Sequence, residues 1–331
     1  MGIETSVMEN RVFIENFNEN KKIDEIFYVE EKHLRVSSKG KEYLDLTLRD
    51  RTGTVNAKIW DKIPHFNERF EKGDFIRVNG LIEIFNRAFQ LKILSLDPVS
   101  EENVDLSNFI NAENPAKVEF YFDKIVEFID SAEDPDIKTL LESFFNDPEF
   151  VRQYKRCPAA KMLHHDHLGG LVKHTYYMLV VAKYLKNIYK HINFDLLMAG
   201  ILFHDMGKIY ELEATHTISY THEGELIGHA VLGIEMIQEK IRELPGFPSK
   251  KAMLIKHMLL SHHGQLEFGA VKYPSFPEAM LLHLIDTIDS KMEIMSKELD
   301  KIDSEGLWTE RIWALNNNRI MKLENFLDRN P

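Results

Sequence analysis

Tyr43-Leu44-Asp45-Leu46-Thr47-Leu48-Arg49-Asp50-Arg51-Thr52-Gly53-Thr54-Val55-Asn56-Ala57-Lys58-Ile59-Trp60 is the stretch on which the fold of the N-terminal third turns. Side chains here alternate with a period of two, which puts Leu44, Leu46 and Leu48 on one face and Tyr43, Asp45, Thr47 and Arg49 on the other. Asp50 to Gly53 carries turn residues, and Val55, Ala57 and Ile59 then resume the inward face while Asn56, Lys58 and Trp60 point outward. The pattern predicts an antiparallel hairpin with one buried face.

Outward from this hairpin, strand signals run from Ile26 to about Val99. A short helical piece is expected around Asp61 to Phe70, followed by strands at Phe75 to Phe85 and Ala88 to Leu96. Three strands, a helix and two strands is the order of an OB-fold barrel. The run Leu46 to Val55, with Ala57 to Trp60, also resembles the central hairpin of nucleic-acid-binding OB domains. Outward positions include Tyr43, Arg49, Lys58, Trp60, Phe75 and Arg77. Bases stack on aromatic rings and phosphates seek cations, so this mixture suits a single-stranded nucleic acid; the competing reading is that Trp60 and Phe75 simply cover a barrel end.

Beyond Pro98 the polar run Ser100 to Asn114 reads as a linker, and after Pro115 the apolar period becomes 3.6. Helices are expected over Ala116 to Ser131, Pro135 to Phe145, Gly170 to Tyr189, Phe194 to Asp205, Glu223 to Leu244, Ser249 to Ser261 and Pro277 to Leu299. Leu307 to Phe326 is expected to form a terminal helix, packed on its own domain or on another subunit, which leaves a homo-oligomer open. The predicted organisation is an all-β barrel over 1–98, a linker and helical lead-in over 99–150, an all-α domain over 151–300 and a helical extension over 301–331.

The chain of 331 residues is 44% hydrophobic and 28% charged, enough apolar material for sizeable cores. Its single cysteine, Cys157, excludes an intramolecular disulfide framework and, with no secretory pattern at the N-terminus, predicts a cytoplasmic protein. Cys157 has no activating doublet nearby and is expected to be inert. Net charge is −12, and nearly all of the acid excess is C-terminal: residues 1–98 carry 16 Lys and Arg against 17 Asp and Glu. Bulk attraction to a polyanion is thereby excluded, whereas bound metal ions could still bring phosphates to an acidic domain.

Thirteen of the fifteen histidines lie between His164 and His283. An even spread would leave roughly five there, so the excess points to a site. His191, His216, His222, His257 and His283 read as ordinary surface or helix-end residues. Five others fall into ordered motifs: His174 after Gly169-Gly170, the doublet His204-Asp205 followed by Met206-Gly207-Lys208, then His229, the pair His262-His263, and Asp286 with Asp289 one turn on. Imidazole and carboxylate without thiolate suit Mn²⁺, Fe²⁺, Zn²⁺ or similar ions at hydrolytic centres. This series resembles the HD-domain metal-dependent phosphohydrolases, and its extra histidines resemble those of the two-metal branch. The resemblance implies that His174, His204, Asp205 and Asp286 hold one metal, and that Asp205 bridges to a second held by His229, His262 and His263. It implies a water activated by the two metals, with Lys208 as a catalytic cation at a phosphate or leaving oxygen. Asp289 is the alternative to Asp286 as ligand, and His164, His165 and Asp166 are candidates for a substrate entrance.

An OB barrel followed by these motifs resembles the YhaM-type 3′→5′ exoribonucleases over roughly residues 10–300. The likeness implies an enzyme stimulated by Mn²⁺, with Fe²⁺, Co²⁺, Ni²⁺ or Zn²⁺ as alternatives. Such an enzyme releases 5′-nucleotides from the 3′ end of single-stranded RNA, with single-stranded DNA as a second candidate substrate. Two rivals stay open. One is a hydrolase of small or cyclic nucleotides with the barrel as sensor, against which the lack of a Gly-Tyr-Pro signature weighs; the other is a non-enzymatic single-strand-binding factor.

Overall fold

The structure, a computed structural model, describes residues 11–37, 39–86, 88–161, 167–215, 217–302 and 306–327. The candidate entrance residues His164, His165 and Asp166, and His216, lie outside these. The chain divides into two compact units, Met1–Asn111 and Ala112–Pro331.

The first unit is a closed five-stranded barrel of strands β1 (Lys22–Val36), β2 (Glu42–Asp50), β3 (Gly53–Ile59), β4 (Phe75–Phe85) and β5 (Ala88–Val99), with helix α1 (Ile63–Asn67) between β3 and β4. Neighbours run β1-β2-β3-β5-β4 and close through β1 against β4, with β3 and β5 parallel and the other pairs antiparallel. This is the OB-fold barrel expected from the sequence. In the deciding hairpin Leu44 faces Ile59, Leu46 faces Ala57 and Leu48 faces Val55, and all six are buried. The turn is held by Asp50, whose Oδ1 accepts from the Thr52 amide at 2.8 Å and whose Oδ2 accepts from the Ile14 amide at 2.8 Å. A fully buried carboxylate is thereby satisfied. Long β1 serves two neighbours, pairing with β4 through Lys22 to Tyr28 and with β2 from Tyr28 onward, and its register shifts between Val29 and Glu31. A bulge there bends the strand around the barrel. Ile63 and Phe66 of α1 join the barrel core.

One outward position behaves differently from expectation. Phe75 is 3% exposed because Tyr28 and Phe109 lie against it, with ring centroids at 5.5 and 4.8 Å. It is a covered ring on the outside of the barrel and not part of an open platform.

The second unit holds helices α2 (Pro115–Asp130), α3 (Pro135–Phe145), α4 (Pro148–Arg156), α5 (Gly170–Ile188), α6 (Phe194–Phe203), α7 (Lys208–Glu211), a short hairpin β6 (Leu212–Ala214) and β7 (Ile218–Tyr220), then α8 (His222–Leu226), α9 (His229–Glu243), α10 (Ser249–Ser261), α11 (Pro277–Asp300) and α12 (Leu323–Leu327). Asn114, Asp134 and Asp147 cap α2, α3 and α4 through side-chain oxygens, each followed by proline at the first helical position. The apolar period predicts the first two of these helices and passes over α4. Helix α6 is buried on every side from Leu196 to Phe203, as an apolar run without a polar stripe requires. It therefore carries whatever follows it into the interior.

Three further expectations are corrected. Not everything after Pro115 is helical, since β6 and β7 pair as an antiparallel hairpin. The helix expected over Glu223 to Leu244 is broken into α8 and α9 at Gly228, whose φ of 80° belongs to the left-handed region. The extension 301–331 is not a single helix across Leu307 to Phe326. Isolated bridges join Trp308 to Met321 and Ile312 to Asn318, and among the described residues of the extension only Leu323–Leu327 is α-helical. Asn316 and Asn317 take φ of 58° and 56°, which reverses the chain where a helix would have continued. Ile312 and Leu315 pack with Ile294 of α11.

Candidate metal centre and nucleic-acid face

His174 is buried in the second turn of α5, His204 and Asp205 follow the buried end of α6, and His229 opens α9. His262 and His263 follow α10, and Asp286 lies on α11. Five helices thus aim donors at one region. The atoms fall into two triads, His174 with His204 and Asp286, and His229 with His262 and His263, and within each the donor atoms lie within 4.8 Å of one another. Asp205 faces both. Its Oδ1 is 3.4 Å from His229 Nε2 and 3.8 Å from His262 Nε2, while Oδ2 is 3.4 Å from His204 Nε2 and 3.9 Å from His174 Nε2.

The far side of each ring explains the inward aim. His204 Nδ1 donates to the Ile201 carbonyl and His262 Nδ1 to the Leu259 carbonyl, both at 2.7 Å. His174 Nδ1 meets Asp289 Oδ2 at 2.6 Å and His229 Nδ1 meets Glu211 Oε1 at 2.8 Å. With the Nδ1 protons so engaged, a neutral ring presents its Nε2 lone pair inward. Nε2 atoms nonetheless face each other at 3.3 Å between His174 and His204, and between His229 and both His262 and His263. A shared proton or a cation satisfies nitrogens at that separation, and the chemistry and spacing of each triad could hold a divalent metal ion.

At His204 burial works to lower the ring's pKa, but the Asp205 carboxylate outweighs it and raises it, whereas the second triad favours the neutral form. Burial, with the neighbouring imidazoles, pulls His262 well below its ordinary range, and burial and His229 pull His263 down to about 4. Both are therefore neutral near pH 7, the form that binds metal. Burial works to raise the Asp205 carboxyl, but the Lys208 ammonium and the His204 imidazole outweigh it and hold Asp205 well below the usual carboxylate range. Lys208 is itself buried and donates to Asp205 Oδ2 at 2.6 Å and to the Ala159 carbonyl at 2.5 Å. Asp286 lies in the first triad, with Oδ1 3.5 Å from His174 Nε2, whereas Asp289 sits on the opposite nitrogen of that ring.

Glu211 escaped the sequence reading. It is buried, and its Oε1 accepts from the ring and from the backbone amide of His229, the latter at 2.9 Å. Its signal was the spacing, a carboxylate three residues after Lys208. His283, read as an ordinary histidine, donates from Nδ1 to the His262 carbonyl at 2.9 Å and so props the histidine pair from behind. Cys157 is buried, which pushes its thiol up and leaves it unreactive.

Gly207 permits α9 to approach. A Cβ there would lie 2.0 Å from the His229 carbonyl oxygen and 2.7 Å from the Gly233 nitrogen, both backbone atoms. Gly207→Ala is expected to displace the start of α9 and, since a misplacement of about 1 Å can cost 10²-fold, to cut turnover on that scale. Steady-state kinetics beside a thermal midpoint test this; turnover within twofold of wild type would show that the contact is not needed.

On the barrel, three of the six outward residues read as suited to nucleic acid come together. Tyr43 and Trp60 stack at 4.5 Å, and Lys58 Nζ lies 4.9 Å from the Tyr43 ring centre and 5.8 Å from that of Trp60. Exposed Phe85 is 5.6 Å from the same ammonium, an aromatic the sequence reading did not single out. Arg49 and Arg77 are engaged with carboxylates, Arg49 with Glu30 at 2.7 Å and Arg77 with Asp24 at 2.9 and 3.2 Å.

Comparison with known proteins bears on both units. Residues 171–291 match the HD domain family and residues 29–99 match the OB-fold nucleic acid binding domain family. The chain is 36% identical over 288 residues to the 3′-5′ exoribonuclease YhaM of Geobacillus sp. (strain WCH70), covering 87% of each chain. It is 36% identical over 318 residues to that of Oceanobacillus iheyensis, covering 95% of this chain and 98% of the relative. It is 33% identical over 301 residues to that of Bacillus subtilis (strain 168), covering 91% and 94%. Among the described residues no helix is long and apolar enough to cross a membrane.

Proposed function

The chain belongs to the YhaM family of 3′-5′ exoribonucleases, an OB barrel followed by an HD-domain phosphohydrolase, and on that premise we propose that it shortens single-stranded RNA from the 3′ end to 5′-nucleotides with two divalent cations, Mn²⁺ foremost. The observation that carries the proposal is the pair of donor triads facing opposite oxygens of Asp205. His174, His204 and Asp286 would hold one cation and His229, His262 and His263 the other, with Asp205 shared. Bound divalent cations supply Lewis acidity, making a nucleophile available from water near neutral pH and neutralising charge on the phosphoryl oxygens.

The chain's own residues do the rest. Asp289, Glu211 and the Ile201 and Leu259 carbonyls fix ring orientation, so donors need not reorganise when substrate arrives. Lys208 holds Asp205 ionised and in place, and on this reading its ammonium would offset phosphoryl charge as it grows. The acidic half repels a polyanion away from its cations, and the stacked Tyr43 and Trp60 with Lys58 supply a surface on which bases stack and phosphates are neutralised. Single-stranded DNA offers the same faces and is a second substrate of this proposal.

Chemistry and strand binding should therefore come apart. Trp60→Ala with Lys58→Ala is expected to raise KM for a 5′-labelled single-stranded RNA 20-mer by about tenfold, since base stacking on one aromatic is worth about 1–3 kcal/mol. Cleavage of a small chromogenic phosphodiester should stay within twofold. Equal losses on both substrates would mean that the barrel only supports the fold. No loss on either would favour a hydrolase of small nucleotides, and products that do not appear as a ladder shortened from the 3′ end would sink the exonuclease proposal itself.

A further inference from the structure

Among the candidate ligand histidines, the Nδ1 partners of His174, His204, His229 and His262 are on view, two of them carboxylates and two carbonyls. In one triad Asp289 backs His174 and the Ile201 carbonyl backs His204; in the other Glu211 backs His229 and the Leu259 carbonyl backs His262. Each triad thus has one imidazole whose inward nitrogen is made more basic by an anion behind it. The two anions stand on different elements, Glu211 at the end of α7 and Asp289 within α11.

We infer that Glu211 and Asp289 are positioning residues, each serving one of the two cation positions, so that the two positions are tuned separately. The inference rests on the two-cation proposal above. Glu211 does more than touch a ring. Its Oε1 accepts from the amide that opens α9 as well as from the imidazole Nδ1, so one oxygen sets both where the helix begins and which way His229 turns. Its backbone is clamped in turn: the Thr221 amide donates to the Glu211 carbonyl at 3.0 Å, and a Cβ on Gly224 would lie 2.2 Å from that carbonyl oxygen. Gly228, at a φ of 80°, lets the chain turn into α9 beside the carboxylate. Side-chain exposure of 9% for Glu211 and 11% for Asp289 means that water screens neither contact.

The test uses the full-length chain stripped of metal and titrated with Mn²⁺ by calorimetry, with electron paramagnetic resonance reporting whether two ions sit close together. Wild type should take up two equivalents. Glu211→Ala should weaken one equivalent by about 10–100-fold and leave the other within twofold, and Asp289→Ala should weaken the other by a like amount. Together the two substitutions should weaken both equivalents. Glu211→Gln keeps an oxygen for both N–H groups and should recover much of the loss. If Glu211→Ala weakened both equivalents alike, or neither, the separate tuning would be overturned, and a parallel fall in thermal midpoint without rescue by glutamine would reduce Glu211 to fold support. Uptake of one equivalent by wild type would instead overturn the two-cation proposal. A loss in only one of the two variants would then still uphold the positioning role, and an equal loss in both would overturn it.

Discussion

Asp205→Asn should abolish hydrolysis of a long single strand and of a small phosphodiester alike, by more than the roughly 10²–10³-fold that the loss of one electrostatic donor costs. Both triads face this one carboxylate, Oδ1 toward His229 and His262, Oδ2 toward His174 and His204. Asparagine keeps the shape but removes the charge that would bind at both positions, so bound metal should fall with activity. The structure adds a consequence that the motif alone does not carry. Lys208 is buried against Asp205, and breaking a buried ion pair by removing one partner costs about 3–5 kcal/mol. Denaturant unfolding of Asp205→Asn should show that loss, and a combined Asp205→Asn with Lys208→Met should recover part of it without recovering activity. Metal content and turnover both near wild type would refute the assignment of Asp205 to the shared position.

Lys208→Met should slow turnover by about 10²-fold while metal is retained, the scale on which a fixed cation stabilises developing charge. Two contacts hold the ammonium, the Asp205 carboxylate and the Ala159 carbonyl, and its pKa is raised because the attraction of Asp205 outweighs the burial that works to lower it. It stays charged throughout the working range of pH, so its contribution is a constant charge and not a titrating one. Removing it leaves Asp205 more negative toward the cations. Metal affinity should then be unchanged or tighter, and the loss should appear in kcat with KM little altered. Lysine-to-arginine exchange should not restore the rate, because a compact ammonium fits between carboxylate and carbonyl where a planar fork does not. An unaltered kcat would leave Lys208 with a structural role only, and weaker metal binding would mean that it supports the site and not the chemistry.

The barrel was legible because its information is local. Leu44, Leu46 and Leu48 against Val55, Ala57 and Ile59 fix which face is inside, and a one-residue slip would turn every one of them outward. Covering layers are not local: Phe75 carries an outward phase on β4, but Phe109, thirty-four residues later in the chain, lies on it. In the helical unit the long amphipathic segments were read to within a residue or two, as at α3 and α10. The breaks were not, because Gly228 and the pair Asn316-Asn317 end a helical pattern through backbone conformation that periodicity does not register.

By itself the sequence determined the two kinds of architecture and the residue types of the candidate site, since alternation, apolar period and the His-Asp doublet are written along the chain. Only the tertiary structure decided which atoms meet. It sorted six donors into two triads about Asp205, put Asp286 among them and Asp289 behind His174, and turned Lys208 onto Asp205. It also brought Glu211, eighteen residues from His229, to both N–H groups of that residue. The physical reason is that ring orientation and the partner of each nitrogen depend on helix packing, on the buried α6 and on the close approach at Gly207. Such contacts join residues distant in sequence through space that no local period encodes.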